Sequence, residues 1–281
     1  MEQNRFIEEC ISEGWLEISQ ERNLNANSRL FRRGGTVRKI YTRDARINIE
    51  VLLSLTDGRR PLPPEIVMPQ RLLMDGSEVA GYDMPYIEGR QLLEMSLDTH
   101  VSISAFSRTI AMAADAVSRL PDDVVWGDVH GGNVIVSEGG IHIIDIDGFG
   151  LSSPQAHLAG ILPAKYCDAE NRFVISRNSD ILGLCSLLLS KMLGGYDLYS
   201  MPEDWQRRYM TFLEEAGACA FAAVVSSTLS DGPCILDPPA FVIGADDSTI
   251  SYKNFLFSSG LASEEARSEE MISDIIEGRT L

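Results

Sequence analysis

The sequence predicts an α+β protein in two parts, a small β-rich one followed by a larger, mainly helical one. Three observations lead there. The first ~90 residues carry β-branched and aromatic runs punctuated by Gly-Gly and Asp-Gly turns. Beyond Gly89, apolar residues recur at helical spacing over long stretches. Inside that second part, "VVWGDVHGGNVIVSEGGIHIIDIDGFG" (Val124 to Gly150) sets two short apolar runs among two Gly-Gly pairs, one Asn and three Asp.

The chain of 281 residues suits one large domain or two small lobes. The change of character divides it into residues 1–88, residues 89–260, and an acidic helix or tail over 261–281. Hydrophobic content of 44% and charged content of 23% are those of an ordinary globular protein. Acidic residues outnumber basic ones 41 to 24, a net charge of −17, so nucleic acid is a poor partner. A basic protein or a metal-bound nucleotide suits such a surface better. Five scattered Cys, none in Cys-x-x-Cys, argue against a disulfide framework or zinc site and fit a reducing cytoplasm. The start "MEQNRFIEEC" has no apolar signal region, and the longest greasy run contains Lys191, so no membrane segment is expected.

Taken in order, "GWLEISQ" alternates as a half-buried strand. "SRLFRR" and "TVRKIYT" read as a hairpin joined by Gly34-Gly35, a turn that needs positive φ. In "RDARINIEVLLSL", Ile49, Leu52 and Leu53 stand at helical spacing. The prolines of "DGRRPLPPEIVMP" make a loop, and "QRLLMDGSEVAGYDMPYIEG" returns to strands around Asp75-Gly76. A tether near Met84–Gly89 leads to the helix "VSISAFSRTIAMAADAVSRL", closed by Pro121. The strands "NVIVS" and "IHIID" meet through Glu138-Gly139-Gly140. Further helices follow in "DILGLCSLLLSKML" and "WQRRYMTFLEEAGACAFAAVVSSTL".

A carboxylate, an amide five residues on, and a second carboxylate after a β-hairpin form a device for holding Mg²⁺ on a nucleotide. Magnesium wants hard oxygen ligands, usually one or two protein groups completed by phosphates and water. Asn133 offers a neutral oxygen and Asp145 a charged one, at the same end of the hairpin. Asp128, on the preceding loop, is placed to take a proton from an attacking hydroxyl. Asp147 reads equally as an auxiliary metal ligand or a turn residue, and His130 as a phosphate contact or a structural imidazole.

With these residues in view, Asp128-Val-His130-Gly-Gly-Asn133 followed by Ile-Ile-Asp145 resembles the catalytic loop and metal-binding strand of the protein-kinase-like fold. The resemblance runs outward in order over roughly residues 15–230. It implies a bilobal fold using ATP and Mg²⁺, or Mn²⁺ in its place. Lys39 would grip the α- and β-phosphates, with Glu50 on the next helix as its ion-pair partner. "GYDMPYIEG" resembles the hinge, with Met84, Pro85, Tyr86 and Ile87 beside adenine. "PAKYCDAE" is similar to the end of an activation segment, and Asp180 to the helix-leading Asp that braces the catalytic loop. The implied partners are a nucleotide and a hydroxyl acceptor, favoured to be a serine or threonine of a protein. A small-molecule kinase and a scaffolding pseudokinase stand as alternatives.

The departures are specific. The family's His-Arg-Asp triplet reads Trp126-Gly127-Asp128, so the arginine that receives an activation phosphate is missing. Its Asp-Phe-Gly triplet reads Asp145-Ile146-Asp147. "GDVHGGN" is closer to aminoglycoside and choline phosphotransferases, and "NLNANS" stands where a glycine-rich loop belongs.

Overall fold

The computed structural model describes residues 3–18, 28–42, 49–151, 175–230, 234–245 and 247–258. The stretches "NLNANS" (but for Ser28) and "PAKYCDAE", and the acidic segment 261–281, lie outside the described residues. The α+β architecture is as expected: an antiparallel sheet in the first part and helices in the second.

Helix α1 (Gln3–Ser12) leads into β1 (Leu16–Glu17), β2 (Ser28–Arg33) and β3 (Thr36–Tyr41); after α2 (Ile49–Thr56) come β4 (Arg71–Asp75) and β5 (Glu78–Pro85). These five strands form one antiparallel sheet, ordered β1-β2-β3-β5-β4. The β2–β3 hairpin turns at Gly34, whose φ is +58°, so the expected register holds with Arg33 opposite Thr36.

Strand β3 is central and its side chains divide by parity. Phe31, Ile40, Leu73 and Ala80 form the outer face, covered by Phe6 and Cys10 of α1. Arg38 lies on that face too. It is buried but satisfied: Nε and Nη2 donate to Asp83 at 2.7 and 3.2 Å, and the Trp15 ring lies 4.4 Å away. Val37 and Tyr41 face the other way, into the core shared with the helices, and Lys39 goes with them.

One expectation is corrected in part. Of "GWLEISQ", whose Ser19 and Gln20 lie outside the described residues, Leu16 and Glu17 pair with β2 but are exposed, and Ile18, half-buried, donates from its backbone N to Leu30 O at 2.8 Å. α1, unmarked by any strong cap or run, takes the sheet's outer face. The buried face of α2 is Val51, Leu52 and Leu55, with Leu53 turned partly outward.

Short β6 (Arg90–Gln91) and α3 (Leu92–Leu97) open the second part, followed by α4 (Ile103–Ser118). Ser102 caps α4 by accepting from Ala105 N at 3.1 Å. Then β7 (Val124–Val125), β8 (Val134–Ser137), β9 (Gly140–Ile143) and β10 (Gly150–Leu151) follow. β8 and β9 form the expected hairpin, extended by β6, while β7 pairs with β10. The β7–β10 ladder closes the base of residues 126–149, so everything that sets out from β7 returns beside it.

Helix α5 (Arg177–Met192) starts at a capping box of Ser176 and Ser179 and packs on α4. Gly217, with φ +83°, separates α6 (Glu203–Glu215) from α7 (Cys219–Leu229). α8 (Asp247–Ile250) and α9 (Tyr252–Ser258) end the described chain. The two parts are stitched by the proline loop, which lies along β9: Val67 N donates to Ile143 O at 2.8 Å and Ile143 N to Glu65 O at 2.7 Å. Among the described residues no helix is long and apolar enough to cross a membrane.

Candidate active site

The hairpin β8–β9 brings the two proposed metal ligands to one end. Val134 pairs with Ile143, and Ile144 N donates to the Asn133 carbonyl at 2.9 Å. Asn133 therefore stands just before the hairpin and Asp145 just after it. Asn133 is buried, and its amide nitrogen donates to the Asp128 carbonyl at 3.1 Å and to Asp128 Oδ2 at 2.9 Å. Its Oδ1 is the atom left for a cation.

Asp145 is the one non-glycine residue with positive φ among the described residues, at φ 71° and ψ 54°. A left-handed aspartate costs backbone energy, of the kind seen where a side chain must be aimed. Gly148, at the end of the turn that follows, packs against Asp128: a Cβ there would lie 2.8 Å from Asp128 Cβ. Asp128, Asn133 and Asp145 thus form one cluster.

Lys39 enters this cluster from β3. Its ammonium donates to Asp145 Oδ1 and to Asp147 Oδ1, the latter at 2.8 Å. Burial pulls the Lys39 ammonium toward neutrality, but the two carboxylates outweigh it and hold it charged. Burial pushes the Asp145 carboxyl up, and Lys39 more than offsets this, so it stays below the usual range. Asp147 goes the other way, to about 7, because burial and the neighbouring Asp145 charge both oppose its ionisation.

The sequence reading missed Tyr82. It sits opposite Lys39 on β5, is fully buried, and its hydroxyl donates to Asp147 at 3.1 Å, with Asp145 at 3.4 Å. Its ring lies edge-on to Tyr41, 6.1 Å between centroids. The Tyr41 hydroxyl is buried near the same carboxylates. Burial and these charges keep both phenols protonated, hence donors. The signal for Tyr82 was its parity with Lys39 across a strand pair, invisible until the pairing is known.

Glu50 is not brought in. It is exposed at the start of α2, and the described residues hold no Lys39–Glu50 ion pair. The reason is helical phase: Val51, Leu52 and Leu55 take the buried face and turn Glu50 outward.

His130 accepts from Gly132 N through Nδ1 at 3.1 Å, so in the neutral ring the proton sits on Nε2, 3.5 Å from Asp128 Oδ2. The Asp128 carboxylate raises the imidazole's pKa against the effect of burial. Asp180 is fully buried on α5 and accepts from Trp126 N at 2.9 Å and Gly127 N at 2.8 Å. Burial pushes its carboxyl up to about 6 against the pull of those two donors. At the hinge, Met84 is buried opposite Val37, while Pro85, Tyr86 and Ile87 are half-buried. Tyr86 N donates to Gly35 O at 2.8 Å, and Arg32 stacks 3.5 Å over the Tyr86 ring.

The donor set fits a nucleotide-bound hard cation. Among the described residues no group of three or more His, Cys, Asp and Glu side chains is arranged to hold an ion alone. One amide and one carboxylate, with Asp147 beside them, match an ion that takes its other ligands from phosphates and water.

No family model matches the chain, and no curated protein matches it by sequence. Among solved structures it is similar to the Cydia pomonella granulovirus kinase PK-1, at 12% identity and a TM-score of 0.49, over 72% of this chain and 79% of that one.

Proposed function

We propose that the chain is a phosphotransferase that moves the γ-phosphoryl group of ATP to a hydroxyl, with a serine or threonine of a protein as the acceptor. The observation that carries this reading is the meeting of Lys39, from the sheet, with Asp145 and Asp147 beyond the hairpin, next to Asn133 and Asp128.

Asn133 Oδ1 and Asp145 would hold Mg²⁺, or Mn²⁺, which when bound neutralises charge on the phosphates. Lys39 would bind phosphate oxygens, and the backbone of Pro85–Ile87 would face adenine. Asp128 has its Oδ2 taken by Asn133, leaving Oδ1 for the acceptor. It takes the hydroxyl proton as the acceptor oxygen bonds to the γ-phosphorus; the bond to the β,γ-bridging oxygen breaks and ADP leaves with the electron pair. Asp180 supports the protein-kinase version, because it holds the backbone just before Asp128 from within α5.

A second reading, a small-molecule phosphotransferase, is favoured by His130 lying 3.5 Å from Asp128 in a Gly-Asp-x-His pattern. Incubation with γ-labelled ATP, Mg²⁺ and either a generic protein acceptor or aminated small alcohols tests both. Label on protein supports the first and label on the alcohols the second. Nucleotide binding without transfer to either, or to water, leaves a pseudokinase.

A further inference from the structure

A buried lysine in a phosphate-binding cleft needs a carboxylate to hold it, and that carboxylate must not be the one the metal takes. Here Asp145 is the proposed metal ligand and is also bonded to Lys39. If it were the lysine's only anchor, metal binding would strip Lys39 of its partner. Glu50, the partner expected from sequence, is exposed on the outer side of α2.

The site contains another holder. Asp147 Oδ1 accepts from Lys39 at 2.8 Å and from the Tyr82 hydroxyl at 3.1 Å. Tyr82 is fully buried in the strand paired with that of Lys39, and the two residues are direct Cα partners. The ammonium also lies 5.8 and 5.9 Å from the ring centres of Tyr41 and Tyr82. When both are ionised, two carboxylates facing one ammonium leave one negative charge over in a buried place. A cation arriving at Asp145 removes that excess, and Lys39 then keeps one partner of matching charge.

We infer that Asp147 and Tyr82 are positioning residues that together do the work of a helix glutamate: Asp147 anchors Lys39, Tyr82 fixes Asp147, and Asp145 is thereby free to pass to the metal. The roles of Asp145 and of the phosphates rest on the phosphotransferase reading; the anchor itself rests on geometry alone. Asp147 so employed is not an auxiliary metal ligand.

Two measurements on the full chain test this. In double-mutant cycles read by denaturant unfolding without nucleotide, Lys39→Met with Asp147→Asn should show coupling on the order of tenfold in the unfolding constant. Lys39→Met with Glu50→Gln should show none. Calorimetry with Mg²⁺ then compares ATP with adenosine. Tyr82→Phe, which keeps the ring in the core, should weaken ATP by about three- to tenfold and leave adenosine unchanged. Coupling of Lys39 to Glu50 but not to Asp147 overturns the inference, as does equal weakening of both ligands by Tyr82→Phe, the mark of a merely structural role. A wild-type chain that binds neither ligand defeats the phosphotransferase reading instead, and the cycles still decide the anchor.

Discussion

Asp128 and Asp145 are both aspartates on turns, yet their surroundings assign them different work. Asp145 is bound to Lys39 and stands with Asn133 at one end of the hairpin; on the phosphotransferase reading the two would hold the cation, and Asp145→Ala should abolish metal-dependent nucleotide binding. Asp128 bonds only to Asn133 and His130 among the described residues. Asp128→Ala should leave nucleotide binding largely intact and lower kcat by about 10²- to 10⁴-fold, since a base acts in the transition state. Equilibrium binding and turnover, measured on both variants, check the split; wild-type phosphoryl transfer by both would place the chemistry elsewhere. Asp180 gives a pH prediction. Its carboxyl lies at about 6 when folded against an ordinary 3.8, so the folded state binds the extra proton between those values. The stability it contributes is complete below the unfolded pKa and is lost as pH rises through the folded one, by at most about 3 kcal/mol. Unfolding of wild type and Asp180→Asn over this range should show wild type losing ground to the variant as pH rises; a constant gap refutes it. At this scale the sequence exposed Asp128, Asn133 and Asp145, because their spacing places them around a hairpin, while Asp180 was pointed to by the resemblance. It hid Tyr82, which looks like any core aromatic of a strand, and the resemblance put Glu50 beside Lys39 where Val51, Leu52 and Leu55 instead pack inward and turn it out.

The elements explain why the loop before Asp128 departs from the kinase pattern. Gly127 has φ +77°, and a Cβ there would meet the Gly148 carbonyl at 2.8 Å. Its N–H is held by Asp180 from α5, and β7 and β10 clamp the chain on either side. No side chain fits, so the arginine that the resemblance leads one to expect has no room. Gly127→Ala and Gly127→Arg should therefore cost the same, at least about 2 kcal/mol, because the Cβ alone is at fault. Unfolding midpoints of the two variants check this; an arginine variant as stable as wild type would show that the loop can rearrange. Most elements could be read from periodicity: the Gly34 hairpin, the Asp75–Gly76 turn, α4 and the β8–β9 hairpin. α1 could not. Phe6, Ile7 and Cys10 stand at helical spacing, but over ten residues that pattern carries little weight until the outer face of the sheet provides a partner.

At the scale of the whole molecule, charge and the blocked position at Gly127 bear on control. A kinase switched by phosphorylation of its activation segment needs a cation beside the catalytic aspartate to receive the phosphate. Gly127 cannot supply one, and the only basic side chain paired with Asp128 among the described residues is His130. The sequence between Asp147 and Glu170 contains one lysine, Lys165, and no arginine, and the chain as a whole carries −17. A phosphate on Ser152 or Ser153, which lie outside the described residues, would add negative charge to a surface that already has too much of it. On the phosphotransferase reading the protein should therefore be active as synthesised, with control exerted through its abundance or a binding partner. Phosphatase treatment of the purified chain should leave its rate of phosphoryl transfer unchanged. A large loss on that treatment, restored by rephosphorylation at Ser152 or Ser153, would overturn the argument and direct attention to Arg43 or Arg46 as the receiving cation.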